Sequence, residues 1–87
     1  MPPSNPFQIV RSDPNLKTLQ KKVKREKDGE LVRRLQAIII LLLYNNSELA
    51  LRILDISKDT LVRWVQRFNE GGIEGLAKKN DPEDLQS

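Results

Sequence analysis

The sequence predicts an all-α domain, a small bundle of about four helices. Three observations carry that prediction. Leu61, Trp64, Val65 and Phe68 recur at i, i+3, i+4 and i+7, which is one face of a helix. Leu31, Leu35, Ile38 and Leu42 form a second continuous helical stripe. Residue types that start helices, Asp13-Pro14, Asp28, Ser47 and Ser57, stand ahead of each periodic run. With 87 residues the chain is one small domain. It divides into an extended N-terminal arm over 1–13, a helical domain over 14–79 and a disordered polar tail over 80–87.

The arm, MPPSNPFQIVRSD, holds three of the five prolines. Its Phe7, Ile9 and Val10 either dock on the body or on a second subunit, or the arm stays loose. Asp13 as a cap and Pro14 at the first position open a helix over 14–27. Leu16, Leu19 and Val23 mark its apolar face, while Lys17, Lys21, Lys22, Lys24, Arg25 and Lys27 crowd the rest. This basic helix either lies along phosphates as a non-specific clamp or is a solvated outer face.

Asp28 caps a second helix over 30–44. The β-branched run Ile38–Ile40 is compatible with a strand, but the stripe from Leu31 and the flanking Arg33, Arg34 and Gln36 favour a helix. Its second half is apolar nearly all round, as expected of the element at the centre of the bundle. The apolar run AIIILLLY has only eight residues, whereas a bilayer needs about 20, so it is read as buried. Ser47 is expected to cap a short third helix over 48–54, and Asp55-Ile56 to form a tight turn. Ser57 then caps a fourth helix over 58–70, with Asp59 favoured by the helix dipole. Gly71-Gly72 supplies a left-handed stop, followed by a loop over 71–79 anchored by Ile73 and Leu76.

Composition narrows the function. There is no Cys, hence no disulfide framework or thiolate metal site, and no His, the commonest general base and metal ligand. Glu26, Asp28 and Glu30 crowd one turn without making a catalytic pair. No enzyme activity, cofactor, metal or small-molecule substrate is expected. Neither a signal peptide nor a membrane span is legible, so a cytoplasmic, nucleoid-associated protein is expected. The formal charge of +3 is unevenly spread. Residues 1–46 hold nine Lys/Arg against four Asp/Glu, and Asp81, Glu83 and Asp84 make the tail acidic. A basic body suits a polyanion.

Two short helices joined by a three-to-four-residue turn have the spacing of a helix-turn-helix, here of the homeodomain-like kind. In such a unit the first helix holds the second rigid, and the second presents its N-terminal half to base edges of double-stranded DNA. Lys58, Arg63 and Gln66 are the candidates for base edges, since Arg pairs bidentately with guanine and Gln with adenine. Ser57, Thr60 and Arg67 are phosphate candidates; the alternative for Arg67 is a salt bridge to Glu70 or packing on Trp64. Arg33 and Arg34 are either phosphate contacts or solvated. Trp64 is read as core.

Ser57, Thr60, Leu61, Arg63, Trp64, Arg67 and Phe68, followed by Glu70-Gly71-Gly72-Ile73-Glu74-Gly75-Leu76, resemble the helix-turn-helix of insertion-sequence transposases of the mariner-like superfamily. The resemblance covers about Leu16 to Leu76. It implies a domain that binds terminal inverted repeats, set ahead of a separate acidic-triad nuclease domain that these 87 residues do not contain, so non-catalytic binding or regulation is expected. Three positions depart from the family pattern. Leu51 stands where a small residue is usual, with Ala50 beside it, and is expected to tilt or separate the helix pair. Asp55 replaces the usual turn Gly, a change Asp tolerates by accepting left-handed geometry. Val62 and Val65 replace polar residues, which implies weaker DNA binding or a surface turned toward protein. The alternative function is therefore a helical interaction or homodimerisation module built on Val62, Val65, Phe7, Ile9 and Val10.

Overall fold

The computed structural model describes residues 6–77. The tail expected at 80–87, the last two residues of the loop expected up to Lys79 and the first five residues of the arm lie outside them. Four helices and no strand are present among the described residues: α1 (Leu16–Arg25), α2 (Gly29–Tyr44), α3 (Ser47–Leu54) and α4 (Lys58–Ala77). The predicted all-α class is borne out. α2 is the hub, with α1, α3 and α4 each packed against it.

That arrangement follows from where the apolar side chains fall. Leu31, Leu35, Ala37, Ile38, Ile40 and Leu41 of α2 are all buried, on more than one side of the helix, so three neighbours are needed to cover it. α1 contributes Leu19, with Val23 packed on the same core, while α3 contributes Ala50 and Leu54. α4 brings Leu61, Trp64, Val65 and Phe68. Each fully buried Leu or Phe stabilises the fold by about 1.5–3 kcal/mol relative to an exposed one.

The caps differ in detail from expectation. α1 starts two residues later than predicted: Asp13 and Pro14 form a bend, and the Asn15 side chain accepts the Thr18 N–H at 3.0 Å. It also ends at Arg25, where Glu26 leaves helical geometry. Asp28 caps α2 as predicted, accepting from Glu30 N–H at 3.0 Å. Asn46, rather than Ser47, caps α3, because its side chain reaches Leu49 N–H at 3.1 Å and Ser47 is already helical. Ser57 caps α4, accepting from Thr60 N–H at 3.2 Å.

The largest correction concerns the glycine run. Gly72 does adopt a left-handed turn (φ 63°, ψ −143°), yet the chain re-enters a helical turn instead of a loop. The reversal brings Gly75 back over the helix it left. A Cβ at Gly75 would sit 2.2 Å from the Arg67 carbonyl oxygen, so only glycine fits this approach. Leu76 is thereby driven fully into the core and Ile73 packs at its edge, so both act as the anchors predicted.

The arm is docked. The Asn69 carboxamide accepts from Val10 N–H at 2.9 Å and donates to the Gln8 carbonyl at 3.0 Å, so one side chain pairs with an extended strand of backbone. Arg11 reaches the Phe68 and Asn69 carbonyls at 3.4 Å and lies over the Phe68 ring, 5.9 Å from its centroid. Phe7 and Ile9 pack on the core, whereas Val10 is 71% exposed.

Gly75→Ala should lower the urea midpoint, by about 2 kcal/mol or more of stability, because backbone must move to admit the methyl group. Gly71→Ala, with nothing within 4 Å of its added carbon, should be neutral or stabilising. At the α1–α2 corner, the ion-paired hydrogen bond from Lys22 (2.9 Å), then the Asp28 N–H (3.1 Å), holds the Glu26 carboxyl below its ordinary pKa. The stabilisation is complete above the ordinary carboxylate range and is lost as pH falls through the lowered value. Acid titration of Glu26→Gln should show a shallower loss of helix signal than the parent.

Candidate nucleic-acid interface

α3 and α4 are joined by Asp55, Ile56 and Ser57. The turn is built by backbone geometry that the sequence permits at one position. Asp55 is left-handed (φ 53°, ψ 52°), a conformation Asp tolerates better than most residues. Its N–H and that of Ile56 both return to the Leu51 carbonyl, the latter at 3.2 Å, which closes the end of α3. Arg33, from α2, donates to the Leu54 carbonyl and satisfies the next orphan acceptor. Three hydrogen bonds thus close the C-terminal end of α3 at the corner.

Ala50 is fully buried, while Leu51 next to it is only half-buried. The small residue Ala50 is thus the buried one, one position before Leu51. α3 and α4 each pack on α2, and the corner joins them to each other. Val65 is reassigned. At 1% exposed it belongs to the core, so its apolar character takes nothing from the outer surface of α4. Nor does it serve the dimer surface considered above. Trp64 is core, as predicted.

With Leu61, Trp64, Val65 and Phe68 turned inward, the opposite face of α4 presents Asp59, Arg63 and Gln66, all exposed, and Val62 half-buried. Lys58 is exposed at the helix start. Ser57 and Thr60 lie together at the N-terminus, their hydroxyl oxygens 2.9 Å apart. Arg67 is half-buried on the flank. The structure thus brings Ser57, Lys58, Thr60, Arg63 and Gln66 onto the cap and the first two and a half turns of one helix. Asp59 stands among them and was assigned from sequence only to the helix dipole. Its spacing, four residues ahead of Arg63, places it on the same face. A carboxylate there accepts from the cytosine amino group in a major groove and repels phosphate.

Arg33 and Arg34 do not belong to this face. The Arg34 side chain is 2% exposed. It donates to the Leu76 carbonyl at 2.9 Å, lies 5.7 Å from the Trp64 ring centroid and has Glu30 at 3.7 Å. From inside the core it reaches no phosphate, and the expectation of a DNA contact is corrected. Its position at i+3 from Leu31, on the apolar stripe, is the signal that separates it from Arg33. Arg33 keeps an exposed residue surface but commits its guanidinium to the corner of the helix pair.

Among the described residues, no helix is long and apolar enough to cross a membrane. A cleft of about 370 Å³ opens between the arm and the end of α2, lined by Phe7, Gln8, Ile9, Leu41, Leu42 and Asn45. It lacks the clustered charge that marks the N-terminus of α4.

The sequence over residues 34–84 matches a family described as winged helix-turn helix. No curated protein and no solved structure matches the chain.

Replacing Arg34 by Leu should destabilise the protein by about 2–4 kcal/mol, because the buried Leu76 carbonyl loses its donor and the Trp64 ring its cation. Arg33→Ala should cost about 1 kcal/mol. Urea titrations of the two variants check the contrast.

Proposed function

This chain belongs to the winged helix-turn-helix family, and from that premise we propose that it is a sequence-specific, non-catalytic binder of double-stranded DNA, with the first two turns of α4 in the major groove. The observation that carries this reading is the hydrogen-bonded corner at Asp55–Ser57 together with the outward set Lys58, Asp59, Arg63 and Gln66 on the helix that follows it. A recognition helix must be held in place by its own domain before it can discriminate bases, since a loose one gives up the geometric advantage of bidentate contacts.

In this reading Arg63 and Gln66 read base edges, Lys58 lies at the groove entrance, and Ser57 and Thr60 contact phosphate at the helix N-terminus. Arg67 lies on the flank, toward the backbone. The target is a terminal inverted repeat of a transposable element, as the Ser57–Leu76 resemblance to mariner-like transposases implies. The composition, without His or Cys, favours binding over chemistry. A cytoplasmic, nucleoid-associated location accords with that role.

A second reading, self-association, draws on a specific observation. Leu43 and Tyr44 at the end of α2 are 48% and 62% exposed, and the neighbouring Leu42 lines the cleft. Two copies joined there would suit paired half-sites. Sedimentation of the free protein at micromolar concentration distinguishes a monomer from this dimer.

Gel shifts on selected and random duplexes test the main reading. Arg63→Ala should lose about 1–3 kcal/mol of discrimination at one base position. Preference unchanged in that variant would remove Arg63 from the groove, and absence of any duplex binding at low salt would remove the function.

A further inference from the structure

Charge is distributed oddly for a DNA-binding domain. α4 carries Lys58, Arg63 and Arg67 against Asp59, Glu70 and Glu74, so the recognition helix is electrically neutral as a whole. α3 balances Glu48 with Arg52. α2 has Glu30 against Arg33 and Arg34, and Arg34 is buried. Phosphate neutralisation supplies most of the sequence-independent affinity of a DNA-binding protein, and these three helices offer little of it.

α1 is different. Its sequence, LKTLQKKVKR, holds five cations and no carboxylate. Leu19 is buried and Leu16 and Val23 are half-buried, which fixes the inward face. Lys17, Lys21, Lys24 and Arg25 are all exposed and fall within an arc of about 100° on the opposite side. The fifth cation, Lys22, lies outside this arc and is paired with Glu26 at 2.9 Å. Among the described residues the four stripe cations make no ion pair. From Lys17 to Arg25 the stripe rises about 12 Å, a length that covers three or four phosphates of one strand.

The position of α1 also suits a duplex. α1 packs on α2, and α2 packs on α4. Packed helices lie about 8–10 Å apart, so the α1 and α4 axes are within about 20 Å of each other. That separation is no larger than the width of a duplex, so one duplex along both faces touches both helices.

We propose that the Lys17–Lys21–Lys24–Arg25 stripe of α1 is a second, sequence-independent contact to the DNA phosphate backbone and supplies most of the salt-dependent affinity. The inference rests on the DNA-binding reading of α4 and separates affinity from discrimination between two helices.

The test compares the full chain with Lys17→Gln/Lys21→Gln/Lys24→Gln/Arg25→Gln and with Arg63→Ala. Fluorescence anisotropy on selected and random duplexes is measured between about 50 and 200 mM salt. The slope of log K against log salt should fall by about 3 in the four-site variant, with the ratio of selected to random affinity unchanged. Arg63→Ala should lower that ratio and shift the slope by at most about 1. The pair Lys17→Gln/Lys21→Gln, with a slope change about half as large, serves if circular dichroism shows the four-site variant unfolded. A wild-type slope in the stripe variants, alongside lost preference in Arg63→Ala, overturns the α1 contact and leaves the α4 reading intact. Failure of the parent chain to bind any duplex at low salt overturns both. Stripe-dependent binding to vesicles containing anionic phospholipid, without a stripe effect on DNA, assigns α1 to a membrane surface and overturns the proposal.

Discussion

The buried guanidinium of Arg34 is the interaction on which the arrangement of helices depends. It stands on the hub helix and joins two parts of α4 that the Gly72 reversal separates: the Trp64 ring before it and the Leu76 carbonyl after it. A hydrogen bond to a charged donor in a low-dielectric interior is stronger than one at the surface. Removing either partner leaves the other without its match in the core. The terminal turn of α4 is therefore fixed by polar geometry as well as by Leu76 packing. The outward set on the same helix is tied to that contact, because Trp64 stands within it, between Arg63 and Gln66.

The division of labour among the cations follows from the same packing. Of the two adjacent arginines on α2, one faces inward and organises the core, and the other closes the corner between α3 and α4. Arg34 is buried away from any polyanion, while Arg33 keeps an exposed surface. The remaining exposed cations lie chiefly on α1 and the first turns of α4. On α4 the interspersed Asp59 and Glu70 lower the net field, which disfavours indiscriminate adhesion to phosphate and favours contacts that depend on the base present. Charge on α1 acts at longer range and without regard to sequence.

Much of this was legible in the sequence, for identifiable reasons. The four helices follow from apolar periodicity, and the corner from helix length, turn length and Ser57. Asp28 and Ser57 were readable as caps because the helix begins within two residues of each. Asn46 was missed in favour of Ser47 because both are cap types in adjacent positions, and the choice depends on which backbone leaves helical geometry first. The helical turn after Gly72 was not legible: three glycines in five residues are ordinary loop chemistry, and only tertiary contact with the Arg67 carbonyl and the core makes them a reversal. Arg34 was misread because an arginine is usually solvated, and burial of one requires partners from 30, 64 and 76 that no local pattern reveals. Of the proposed contact residues, Ser57, Lys58, Thr60, Arg63 and Gln66 gather on one end of α4 and Arg67 lies on its flank, whereas the two α2 arginines are elsewhere.

The clasp between the arm and Asn69 carries a consequence for the order in which the molecule assembles. It joins residues 59 and 61 apart in sequence, while the helices and their caps form within single turns. Closing so long a span is opposed by chain entropy until the bundle has brought its ends together. Loop entropy therefore sets the clasp apart from the local helix contacts, as a long-range contact whose closure costs more chain entropy. Amide exchange at Val10, whose donor is held by a side chain alone, registers opening of the clasp and leaves the deeper protection of α2 unchanged.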